Sequence, residues 1–142
     1  RAKSQGDHEK AMLLADQAIR LLAANDIDTY HWHLWRESLK NLGNRTPDYT
    51  GLIEFIREAV TTFQQDRNVL RTIDALRHLV SYLANAGNKQ EAQKYLDHLD
   101  ELLAQVQPAD LARHMPERFS VTGLVSRKRH ARHLRRYVDS LP

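Results

Sequence analysis

The stretch Val69 to Leu103, VLRTIDALRHLVSYLANAGNKQEAQKYLDHLDELL, decides the fold. In its first half Ile73, Leu76, Leu79, Val80 and Leu83 recur at spacings of three and four, the apolar stripe of an α-helix. The period restarts after Gly87 with Ala92, Leu96, Leu99, Leu102 and Leu103. Asn88 is placed to cap the second helix, with Glu91 three residues on as its capping-box partner, a device worth about 1 kcal/mol. Neither helix can bury its stripe alone, and the short link predicts that the two lie antiparallel against each other.

The same period extends outward. Upstream, Ala11, Leu14, Ala15, Ala18, Leu21 and Leu22 form one stripe of a helix predicted over Asp7 to Ala24, with Asp7 as its N-cap and Glu9 suiting the first-turn amides. A second helix is expected from Thr29 to Leu42 with Trp32, Trp35, Leu39 and Leu42 inward, broken by GNRTPD at 43–48. Asp48 or Thr50 then caps a third, in which Leu52, Ile53, Ile56, Ala59, Val60 and Phe63 keep the spacing. Beyond Pro108 the pattern weakens to a short helix from Ala109 to His114, stopped by Pro116. A strand through Phe119 to Val121 stays open, although it would have nothing to pair with. A basic helix from about Leu124 to Ser140 closes the chain, with Leu124, Ala131, Leu134, Val138 and Leu141 placed to dock it on the body.

A chain of 142 residues suits one core, and 42% apolar with 27% charged residues is ordinary for a folded protein. No window has the apolar length of a membrane span, and RAKSQGDHEK lacks the core of a secretory signal. These features suggest a cytoplasmic module, and Arg1 in place of an initiator Met suggests a processed chain or an excised domain. With no cysteine there is no disulfide, thiolate nucleophile or Cys-ligated zinc. The formal charge of +3 is unevenly placed. Acids slightly outnumber bases through Asp110, whereas Arg113, Arg118, Arg127, Lys128, Arg129, Arg132, Arg135 and Arg136 face only Glu117 and Asp139 after it.

Two glycine-centred segments, QGDHEKAMLLADQAIRL and AGNKQEAQKYLDHLDEL, share Gly, four polar residues and Ala. With the helix before Gly87, the second resembles the tetratricopeptide repeat family, whose unit is a helix hairpin of about 34 residues. Gly87 matches the turn, Ala92 the small residue early in the second helix, and Leu96 and Leu99 later packing positions. The last of these is larger than the usual Ala. Gly6, Ala11 and Ala18 match the turn and both small positions of a first copy that lacks most of its leading helix. A middle copy aligns only with extra residues around 44–47. The resemblance covers residues 1–105 at most. It implies an all-α fold of antiparallel helix hairpins in a right-handed solenoid over 1–108, with 109–142 as a basic, capping extension packed on the same domain.

The resemblance further implies a protein or peptide binder that uses the surface built by successive first helices, with no catalytic centre and no cofactor. Tyr30, His33, Arg36, Glu37 and Lys40 from one hairpin and Arg77, His78, Ser81 and Asn85 from another would face that partner. The Lys, Arg and Asn set of the subgroup that clamps acidic peptide ends is not matched.

Chemical sites are weakly supported by the residues themselves. His31 and His33 are two apart and do not share a helix face, so packing around Trp32 outweighs a metal site. His130 and His133 could converge, yet no third ligand has a recognisable motif and the surrounding cations disfavour a metal ion. Glu54 with Glu58, and Asp97 with Asp100 or Glu101, share faces but no groove across which carboxylates would act. There is no nucleophile motif or glycine-rich phosphate loop, so an enzyme is the remote alternative. The sharpest feature is SRKRHARHLRR at 126–136, in which Arg127, Lys128, Arg129, Arg132, Arg135 and Arg136 form a basic patch. A salt-laced cap or acidic-protein contact is the preferred reading. Nucleic-acid association through successive phosphates is the alternative, weakened by the lack of interleaved aromatics.

Overall fold

Helix follows from residue 2 because the first segment is built almost wholly of good helix formers, and the break expected at Gly6 does not occur. The computed structural model describes residues 2–25, 28–41, 46–107 and 121–142. Its elements are α1 (Ala2–Ala24), α2 (Tyr30–Leu39), α3 (Thr50–Gln65), α4 (Val69–Asn85), α5 (Lys89–Gln105) and α6 (Val121–Asp139). All regular structure among the described residues is helical. The chain divides into two compact units, 1–55 and 56–142, at a point inside α3. The terminal helix thus belongs with α4 and α5, and the boundary expected at 108/109 lies outside the described residues.

In the first unit α2 packs on α1. The expected apolar stripe of α1 is covered unevenly: Ala15 is buried and Ala11, Ala18 and Leu22 are half-buried, whereas Leu14 and Leu21 are 60% and 67% exposed. Gly6 and Asp7 lie inside α1, so neither the turn nor the N-cap expected there forms. The ten-residue α2 is too short to cover a 23-residue neighbour. Its inward residues are Tyr30, Leu34 and Leu39, while Trp32 and Trp35 are 40% and 41% exposed and meet edge to face at 5.7 Å. The expected inward face of this helix therefore holds at Leu39 and fails at Trp32 and Trp35. Tyr30 stacks on Phe55 at 5.7 Å, and that pairing turns the tryptophans outward. Asp28 accepts the Tyr30 amide at 2.9 Å to start the helix, which ends before the expected Leu42, a residue outside the described set. Asn41 exchanges two 2.9 Å bonds with the Asp48 backbone. The Asp48 carboxylate accepts from the side chain and amide of Thr50, at 2.7 and 3.0 Å, at the entry to α3. Those two hydrogen bonds, side chain first, hold the Asp48 carboxyl below its usual range.

In the second unit three helices are joined by three-residue links with the same chemistry. At the end of α3 the Asn68 amide reaches the Phe63 carbonyl at 2.9 Å around a left-handed Arg67, φ 56°. At the end of α4 the Asn88 amide reaches the Leu83 carbonyl at 2.9 Å around Gly87, φ 80°. Both are Schellman closures, and each is followed at once by an asparagine N-cap. Asn68 accepts the Arg71 amide at 3.1 Å, and Asn88 accepts the Glu91 amide at 3.3 Å. Glu91 completes the expected capping pair through the Asn88 side-chain amide, at 3.0 Å, rather than its backbone. It also pairs with Arg57, tying α3 to α5.

Helix α4 is the hub. It buries Leu70, Ile73, Ala75, Leu76, Leu79, Val80, Leu83 and Ala84, and α5 lays Ala92, Leu96, Leu99 and Leu103 against it as the sequence predicts. Helix α6 begins at Val121, so the open strand reading is overturned where it touches that residue; Phe119 and the short helix expected at 109–114 lie outside the described residues. Leu124, Ala131, Leu134 and Val138 are buried as expected, and α6 rests on both α4 and α5.

Candidate interaction surface of the terminal helix

The apolar stripe that docks α6 fixes where its charges go. A helix turns 100° per residue, so seating Leu124, Ala131, Leu134 and Val138 leaves the basic residues either beside the seam or on the outer face. Arg127 and Arg135 flank the seam. Arg127 donates from Nε to Asp74 Oδ1 at 2.9 Å and from Nη2 to Oδ2 at 3.2 Å, while Arg135 Nη2 reaches Asp97 at 2.8 Å and Asp100 at 2.7 Å. The Asp100 bond foremost, with Asp97 assisting, raises the Arg135 pKa against the effect of burial. Lys128, Arg129, Arg132 and Arg136 are exposed, and their side chains have no intrachain ion pair or hydrogen bond among the described residues. The six-residue basic patch is thus two different things: a pair of internal clasps and a four-residue outer ridge.

Asp74 was not legible as special. It is only 9% exposed and sits on the buried side of α4, where it also accepts from Arg77 Nη2 at 2.6 Å. Burial pushes its carboxyl up, but the hydrogen bonds and charges of Arg127 and Arg77 outweigh that, and the net shift is downward. Arg77 Nη1 lies 2.9 Å from His130 Nδ1. A guanidinium has no lone pair to offer, so the imidazole accepts at Nδ1 and is neutral. Burial first, then Arg77 and His133, lowers the His130 pKa, with Asp74 opposing. His133, its expected companion, is exposed.

This geometry predicts a pH response. With the folded His130 pKa below that of the unfolded chain, the folded state binds fewer protons. Stability is complete above about pH 6.5 and falls as pH drops through the folded value. The unfolding free energy of the native chain, from urea titration, is expected to fall between pH 7.5 and pH 5, by under about 1 kcal/mol because the ring is half solvated. His130→Gln, which keeps an acceptor and cannot titrate, is expected to flatten that response; an unchanged slope refutes the assignment.

Of the nine residues expected to face a partner, Tyr30, His33, Arg36, Glu37 and Lys40 lie in the first unit and Arg77, His78, Ser81 and Asn85 in the second. Tyr30 is a core residue. His33 and Arg36 line a cleft of the first unit with Asp16, Ile19 and Arg20, and Arg36 pairs with Asp16. That bond, chiefly, holds the Asp16 carboxyl low. Lys40 binds Glu37 at 2.9 Å. In the second unit Arg77 is engaged by Asp74 and His130, and Asn85 accepts from the Tyr137 hydroxyl at 2.8 Å. His78 and Ser81 are partly buried on the same helix. The chain's own α6 therefore meets Arg77 and Asn85, two of the four α4 residues expected to face a partner.

Among the described residues no helix is long and apolar enough to cross a membrane, and no group of three or more His, Cys, Asp or Glu could hold a metal ion. The described residues form an all-helical arrangement of paired helices with a basic terminal helix. Comparison with family models, curated proteins and solved structures finds no match for the chain.

Proposed function

We propose that this chain is a non-catalytic helical scaffold of tetratricopeptide-like hairpin type, which binds a protein partner through the outer face of α6. The observation that carries this reading is the division of the basic residues. Arg127 and Arg135 lock the helix to α4 and α5, leaving Lys128, Arg129, Arg132 and Arg136 on a fixed backbone without intrachain partners among the described residues. Preorganised charge of this kind selects and steers partners more than it adds raw affinity. The repeat reading is supported by α6 resting on both members of the α4–α5 pair, the position a following first helix takes in a stacked array, and α6 then acts as the terminal cap.

A phosphate backbone is the competing partner for four cations, but Asp97, Asp100 and Glu101 stand exposed on neighbouring α5, which favours a partner of mixed charge over a polyanion. The salt dependence of binding separates the two. For a short DNA duplex and a single-stranded RNA, the native chain and Arg129→Gln/Arg132→Gln/Arg136→Gln are expected to give similarly shallow slopes of log affinity against log salt. A native slope of about −3 or steeper, flattened in the variant, would transfer the function to nucleic acid. Poly-glutamate is expected to bind the native chain at low salt and to be lost from the variant.

A further inference from the structure

Where α5 and α6 run side by side, Leu103, Ala104 and Ala131 form the floor of an open groove of about 260 Å³. Lys128 and Arg132, one helical turn apart, stand on its α6 lip, and Asp100 stands on the α5 lip. Asp100 is already compensated by Arg135 at 2.7 Å, whereas the two cations on the other lip have no intrachain partner among the described residues. The groove is therefore apolar below and net positive above. Its depth comes from alanine at positions 104 and 131, where any larger residue would fill it.

We infer that this groove docks an acidic protein segment, which seats one aliphatic side chain on Leu103, Ala104 and Ala131 while flanking carboxylates pair with Lys128 and Arg132. The inference rests on the scaffold reading and names its partner class. Charge complementarity selects an acidic occupant, and the floor selects a protein one. An aliphatic side chain gains from burial against alanine and leucine, whereas a nucleobase needs a flat aromatic surface and none lines the groove. Arg129 and Arg136 extend the cationic row beyond the groove, so acidic residues on either side of the inserted side chain add to attachment. Because the ridge is held by Arg127 and Arg135, the occupant meets a site whose backbone is already ordered.

The experiment uses the full chain and a fluorescent acidic helical peptide carrying a single leucine flanked by glutamates. Two control peptides replace that leucine by serine or the glutamates by glutamine. Each control is expected to bind about tenfold or more weakly, the size set by one buried aliphatic side chain or one charge cluster. Ala104→Trp, at an exposed position, fills the groove without altering charge and is expected to reproduce the loss seen with the serine peptide. Lys128→Gln/Arg132→Gln is expected to reproduce the loss seen with the glutamine peptide. Circular dichroism on both variants checks that α6 stays docked. If leucine and serine peptides bind alike and Ala104→Trp changes nothing, while poly-glutamate still binds, the groove is overturned and the scaffold reading stands. If no acidic peptide and no poly-glutamate binds, and a single-stranded RNA does, both fall together.

Discussion

Asp74→Ala is expected to lower the stability of the second unit by about 3 kcal/mol, near the bottom of the range for breaking a buried ion pair. For a unit of this size that is a fall in Tm of roughly 15 °C. The lost carboxylate holds two guanidiniums at once, Arg77 at 2.6 Å and Arg127 at 2.9 and 3.2 Å, and among the described residues it is the only acid that either pairs with. Without it two cations face each other beside a neutral His130, half-buried, where solvent repays little of their desolvation. Arg127→Ala is expected to be milder, about 1–2 kcal/mol, because Asp74 keeps Arg77 and its charge stays compensated. The order matters more than either size. An Asp74→Ala effect no greater than that of Arg127→Ala, by urea unfolding at pH 7, would show that Asp74 is not the centre of the clasp. The acid limb gives a second check. The net downward shift of Asp74 means that its contribution is complete above about pH 4 and is lost as pH falls through its lower folded value, so Asp74→Ala should remove that part of the acid sensitivity.

The clasp marks what the residues do and do not announce. The α4–α5 hairpin was legible because its stripes, its Gly87 turn and its Asn88 cap all specify the same geometry. The docking stripe of α6 was legible for the same reason, since Leu124, Ala131, Leu134 and Val138 lie on one face of any helix. The split of the basic patch into clasps and ridge was not, because it depends on which acids α4 and α5 bring up to the seam. A polar residue inside an apolar run, as Asp74 is between Ile73 and Ala75, was the available signal. The link between α3 and α4 was hidden for a local reason. Arg67 takes the left-handed position that glycine holds at 87, at the usual cost for a residue with a Cβ, so only the asparagine that follows betrays the recurring turn. In the first unit the helices were found, but the covered face of each was found only in part, at Ala15 and Leu39. The spacing of Trp32 and Trp35 with Leu39 suggested an inward face, while Tyr30, Leu34 and Leu39 occupy it.

The sharpest consequence of that difference is a pair of identical substitutions with opposite outcomes. Leu79 and Leu14 both sit on apolar stripes at helical spacing, and the sequence gives no ground for ranking them. Leu79 is fully buried between α4 and its neighbours, whereas Leu14 is 60% exposed on α1. Leu79→Ala removes buried methyl and methylene groups and leaves a cavity that the surrounding core closes only in part. It is expected to cost about 3 kcal/mol. Leu14→Ala removes atoms that already touch water, and alanine is the better helix former, so the change is expected within about 0.5 kcal/mol of zero. Urea unfolding of the two variants, followed by helical circular dichroism, gives the comparison directly. A Leu14→Ala loss approaching that of Leu79→Ala would mean that the outer stripe of α1 is covered in solution, and the first unit would then have to be redrawn with a helix packed over Leu14 and Leu21.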